Sequence, residues 1–122
     1  MKINYSFFIR VNENGERKPE MTFFPIEFNM LSHIGELDFS KSINVSRVID
    51  EIEHSVLNSK KYSFASDDWC ILNVDNKVVS IVNGFDEFKP FELPTDFIIK
   101  LLTDWRTFLI KYEYGKIPGL IY

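Results

Sequence analysis

Residues 67–112 read DDWCILNVDNKVVSIVNG (67–84), FDEFKPFELP (85–94) and TDFIIKLLTDWRTFLIKY (95–112). The first part predicts a β-hairpin, the last a helix, and the middle an acidic loop full of phenylalanine. Asp75 and Asn76 separate two apolar runs, and both residue types tolerate the positive φ of a tight turn. With Asp75-Asn76 as the turn, Val74 faces Lys77, Leu72 faces Val79 and Cys70 faces Ile81. Strand side chains alternate between faces. One face is then Cys70, Leu72, Val74, Val79 and Ile81; the other is Trp69, Ile71, Asn73, Val78, Ser80 and Val82. Both are substantially apolar, which predicts a hairpin inside a larger sheet. A slip of register by a single residue would exchange the two sets.

The helix follows Pro94. Thr95 is placed to cap it, and Asp96 puts a negative charge in the first turn. Phe97, Leu101, Trp105, Phe108 and Tyr112 recur at helical spacing, and Ile98, Leu102 and Leu109 widen the stripe. Such a broad apolar stripe suits a helix lying on a sheet. Lys100, Asp104, Arg106 and Lys111 fall on the wetter side. Gly115 can end the helix in the left-handed conformation, and Pro118 prevents its continuation.

Working outward, residues 44–56 carry a second helical stripe of Val45, Val48, Ile49, Ile52 and Val56, with Asn44 as its expected cap. Asp50, Glu51 and Glu53 mark its exposed side. Residues 2–11 alternate as an opening strand, and Asn14-Gly15 is a turn signal. A second strand is expected at 21–24, stopped by Pro25. Residues 29–35 show no clean period and read as a strand or a buried loop. Residues 62–65 read as a short strand or a loop. The whole predicts a single α+β domain over residues 1–122, an antiparallel or mixed sheet with two principal helices packed against it.

Composition narrows the function. The formal net charge is −4, from 18 acidic and 14 basic residues, which argues against a direct nucleic-acid surface. The single cysteine excludes an intrachain disulfide and a multi-cysteine metal site. No stretch approaches the roughly 20 apolar residues of a membrane span, and the N-terminus lacks the pattern of a signal peptide. These features predict a cytoplasmic protein without membrane insertion. Oligomeric state is not legible.

Candidate chemistry is sparse. His33 and His54 have no metal-ligand spacing between them, and Cys70 lies on an apolar strand face with no activating neighbour in sequence. No catalytic residue, metal site or cofactor is predicted. A small hydrolase centred on His54 and nearby carboxylates is the remaining enzymatic reading. The stronger pattern is acidic and aromatic. Asp67, Asp68, Asp86, Glu87, Glu92 and Asp96 can gather at one edge of the hairpin. Carboxylates there either bind magnesium, act as acid and base, or stay in solvent-facing loops, though none forms a calcium-loop or nuclease pattern. Phe85, Phe88 and Phe91 recur every three residues. Phenylalanines of this kind either tuck a loop over a sheet edge or anchor a partner. In the second case the surrounding carboxylates steer a basic protein.

In size, acidity and texture the chain resembles the small immunity proteins of bacterial toxin–immunity systems, including those paired with contact-dependent growth-inhibition toxins. The resemblance is strongest over residues 67–112, with Trp69, Asp104 and Trp105 its most distinctive residues. It implies a non-enzymatic protein that binds a cognate toxin, often a basic nuclease domain, and blocks its active site or substrate groove. Folds and binding faces vary widely among such proteins, so the expected toxin-binding residues come from charge and aromatic content. They are Asp67, Asp68, Asp86, Glu87, Phe88, Phe91 and Glu92. The alternative is an interaction module of a regulatory or phage-defence complex.

Overall fold

The computed structural model describes residues 2–65, 67, 69–85 and 89–118. The chain is an α+β fold with two antiparallel sheets. Strands β1 (Asn4–Val11) and β2 (Arg17–Phe24) form a hairpin. Its loop is organised by Asn12, whose side-chain oxygen accepts hydrogen bonds from the amides of Asn14 (3.0 Å) and Glu16 (2.9 Å). Gly15 takes φ 80° there, a conformation that suits glycine. β2 starts at Arg17, ahead of the expected Met21, because pairing with β1 continues through polar positions. An Arg10–Glu20 ion pair of 2.7 Å bridges those strands.

A 3₁₀ segment, Ile26–Gly35, follows β2 and replaces the strand or loop expected at 29–35. Its buried row is Phe28, Leu31 and Ile34. A spacing of three is the period of a 3₁₀-helix and matches neither an α-helix nor a strand. A second short 3₁₀ turn, Leu37–Ser40, leads into helix α1 (Ser42–Leu57).

Helix α1 begins two residues before its expected cap Asn44, with Lys41 at the cap position and no side-chain cap bond there. The N-terminal donors are met from far away in sequence. Glu113 accepts from the Ser42 amide (2.9 Å) and the Ser42 hydroxyl (2.6 Å). A carboxylate at the positive end of a helix dipole is the favoured sign. Both helices close with paired C-terminal bonds: Lys60 to Ser55 and Ser59 to Val56 after α1, and Lys116 to Lys111 and Gly115 to Tyr112 after α2. Gly115 has φ 69°, as its position after α2 predicts.

The larger sheet has the order β3 (Lys61–Ala65), β4 (Ile71–Asp75), β5 (Val78–Val82) and β6 (Phe91–Pro94), antiparallel throughout. The β4–β5 turn is Asn76-Lys77, one residue later than expected, with Asn76 at φ 59°. Val74 therefore faces Val79, and Leu72 faces Ile81. This register differs from the expected one by two positions on the partner strand. A shift of two preserves the facing, so Cys70, Leu72, Val74, Val79 and Ile81 are all buried.

Helices α1 and α2 (Thr95–Glu113) pack against each other and cover one face of that sheet. Thr95 is the first helical residue of α2 rather than its cap. Its hydroxyl donates to the Asn76 carbonyl (2.6 Å) and its amide to the Lys77 carbonyl (2.9 Å), fastening the helix start to the β4–β5 turn. The deep side of α2 is Ile98, Leu101, Leu102, Trp105 and Leu109, while Phe97, Phe108 and Tyr112 are only half-buried. The β1–β2 hairpin meets α2 through rings: Tyr5 against Phe97, and Phe7 against Trp105 and Phe108. No described helix is long and apolar enough to cross a membrane.

Candidate functional site

Antiparallel pairing brings three chain segments to one end of the larger sheet. Ile71 at the start of β4 faces Val82 at the end of β5, and Ile81 faces Phe91 at the start of β6. The residues just before β4, just after β5 and at the head of β6 therefore lie together. The 3₁₀ segment supplies His33 to the same place.

The result is a surface of stacked and tilted rings. His33 lies nearly parallel to Trp69, with 17° between planes and centroids 5.9 Å apart. Phe85 meets the other ring of the pair, Trp69, at 5.2 Å and a 55° tilt. Trp69 is 41% exposed and Phe85 54% exposed. Large apolar rings in water need support from the backbone if they are to keep one arrangement. Here the support is a set of short-range hydrogen bonds. Asp67 Oδ1 accepts from the Trp69 amide at 2.9 Å. Asn83 is buried, donates to the Trp69 carbonyl (3.1 Å) and accepts from the Phe85 amide (2.7 Å). One asparagine thus sets the spacing of both exposed rings. Asp67 Oδ2 also lies 3.2 Å from His33 Nδ1, tying the 3₁₀ segment to the sheet end.

The expected toxin-binding residues are distributed unevenly about this surface. Asp67 is part of it. Asp68, Asp86, Glu87 and Phe88 lie outside the described residues. Phe91 is half-buried and meets Phe28 edge-on at 5.3 Å, so its ring packs against the core. Glu92 follows it on β6 and is exposed on the opposite side of the strand. The sequence reading missed His33 and Trp69 as members of the surface. Trp69 was legible as an outward residue of the hairpin, whereas nothing local places His33, 34 residues earlier, beside Asp67.

The other candidates for chemistry do not assemble around a nucleophile. Cys70 is buried beneath this surface, and burial, with the nearby Asp67 charge adding to it, pushes its thiol up to about 12. A thiol held that high is not a thiolate near neutral pH. His54 is exposed on α1 and its contacts are with Asn58. Among the described residues, no group of three His, Cys, Asp or Glu side chains is placed to hold a metal ion. A cleft of about 430 Å³ between the hairpin and the 3₁₀ segment is lined by Arg10, Lys18, Glu20 and Glu36. Its charges are already paired, Arg10 with Glu20 and Lys18 with Glu36.

The arrangement offers a contact surface: exposed rings, a carboxylate at their side and a fixed backbone beneath. Comparison of the chain with protein-family models, with curated proteins and with solved structures gives no match.

Proposed function

We propose that this chain is an immunity protein: it binds a cognate bacterial toxin, a basic nuclease domain, and blocks that domain's active site or substrate groove. The observation that carries the reading is the exposed Trp69–Phe85 ring surface, held by Asn83 and flanked by Asp67. Aromatic side chains on a rigid frame supply contact area at low entropic cost, and they are enriched where protein partners bind most tightly. The formal charge of −4 favours encounter with a basic partner. On this reading the protein works in the cytoplasm, makes no covalent change to its target and needs no cofactor.

The test is protection. A toxin domain encoded by a neighbouring gene is the candidate partner; cells producing it should grow when the chain is co-produced, and the two proteins should co-purify. The double variant Trp69→Ala/Phe85→Ala should stay folded, because both rings are substantially exposed, yet lose protection. Undiminished protection by a folded double variant would remove the ring surface from the contact. Neither protection nor binding by the wild type, with a stable housekeeping complex recovered instead, would replace the immunity reading with that of a regulatory interaction module.

A further inference from the structure

Among the described residues, four half-buried carboxylates are tied to a neighbouring nitrogen, and one differs from the rest. Glu20 (side chain 16% exposed) pairs with Arg10, Glu36 (30%) with Lys18 and Asp104 (39%) with Lys100. Asp67 (26%) is as sheltered as these, but among the described residues its partners are the Trp69 amide and the His33 ring. No lysine or arginine of the described chain neutralises it. It also lies beside the exposed Trp69, whereas Glu20, which faces the exposed Phe8, is already neutralised by Arg10.

We propose that Asp67, Trp69 and Phe85 together receive an arginine side chain from a basic protein partner. The proposal rests on the protein-binding reading above and names the group that the surface recognises. A guanidinium is planar and weakly hydrated. It stacks on an aromatic face while donating paired hydrogen bonds to a carboxylate at its edge. All the required elements are present within three residues of Asp67 and across the sheet end. Trp69 presents an indole whose stacked neighbour is His33, while Phe85 is tilted by 55° and does not lie flat on it. Asp67 keeps one oxygen on the Trp69 amide, so its orientation is set before any partner arrives. Ile71 and Val82, half-buried and paired across β4 and β5, continue the surface and offer an apolar bed for an aliphatic stem. A lysine would satisfy the charge but not the stacking, which makes arginine the better fit.

The experiment is an NMR titration of the intact chain with blocked tetra-arginine, tetra-lysine and tetra-citrulline peptides. Citrulline keeps the shape of arginine and removes its charge. The Trp69 indole N–H signal, assigned by comparison with Trp69→Leu, is followed in each. Tetra-arginine should move it saturably, and tetra-citrulline should bind at least about tenfold more weakly, as loss of a charge-assisted pair requires. Asp67→Asn preserves an oxygen for the Trp69 amide and removes the charge; it should weaken tetra-arginine binding by a similar factor. Equal binding of arginine and citrulline, no effect of Asp67→Asn, or peptide-induced shifts that spare Trp69 would each overturn the proposal. Protection against the toxin is read separately. If the chain protects cells and the peptide result is negative, the immunity reading stands without this contact. If tetra-arginine binds at Trp69 and no toxin is neutralised, the contact stands and the immunity reading falls.

Discussion

A fully buried indole must place its N–H against an acceptor, and Trp105 gives it to the Phe39 carbonyl at 2.8 Å. The same ring meets Phe7 of the hairpin and Phe108 of its own helix. It also explains the glycine at position 35. A Cβ on Gly35 would stand 2.8 Å from Trp105 Cζ2 and 3.0 Å from Met21 Cε. Two expectations follow for chemical denaturation. Trp105→Ala should destabilise by about 3–5 kcal/mol, the range for emptying a large aromatic site. Gly35→Ala should cost about 1–3 kcal/mol by overpacking, because the methionine end can swing away but the walled-in indole cannot. A Gly35→Ala protein as stable as wild type would mean that Trp105 has room to retreat. The helical spacing around Trp105 made its burial legible in the sequence. Its partners were not legible, since Gly35 and Phe39 sit in a segment whose period of three escapes a search for helices and strands.

At the scale of elements, long-range hydrogen bonds fasten the layers, among them Thr95 to the β4–β5 turn, Glu113 to the start of α1, and Tyr5 to Asp104. None was legible, because each joins residues far apart in sequence, whereas the hairpin facing was legible from alternation alone. Glu113→Ala should cost about 0.5–2 kcal/mol, the range for losing an N-terminal cap, and should loosen the first turn of α1 in hydrogen exchange. The Tyr5–Asp104–Lys100 group ties the hairpin to α2 and makes a pH-dependent prediction. Burial works to raise the Asp104 carboxyl, but hydrogen bonds from Lys100 and Tyr5 outweigh it and hold it below the usual carboxylate range. A folded-state pKa below the unfolded value means that the charged form stabilises the native state. That contribution is complete above the unfolded value of about 3.9 and is lost as pH falls through the lower folded value. Asp104→Asn should therefore be less stable than wild type at neutral pH, and the two urea midpoints should converge as pH drops below about 4. A gap that persists unchanged in acid would show that Asp104 acts through shape rather than charge.

For the molecule as a whole, charge is the property that reaches beyond contact distance. The α+β architecture follows from apolar periodicity and turn residues, but a binding face is written in residues that have no period. Phe91 shows the difficulty: its spacing from Phe85 suits both a loop tucked over the sheet edge and a partner anchor, and its ring is packed against Phe28. Net charge does not suffer from this ambiguity, since a distant partner responds to the summed field. Asp86, Glu87 and Glu92 are the acidic residues of the 85–94 stretch, and Glu92 is exposed on β6. Reversing all three to lysine adds two charges at each position and carries the formal net charge from −4 to +2. On the immunity reading, association with a basic toxin should slow at low salt, where the Debye length exceeds about 10 Å, and the penalty should shrink as salt screens exposed charges. Dissociation should change less than association, because rim charges act mainly on encounter. Stopped-flow association at low and high salt reads this directly, with a thermal melt of the same sample to establish that it is folded. A folded triple variant that associates at the wild-type rate under both conditions would show that these three carboxylates do not steer the proposed encounter.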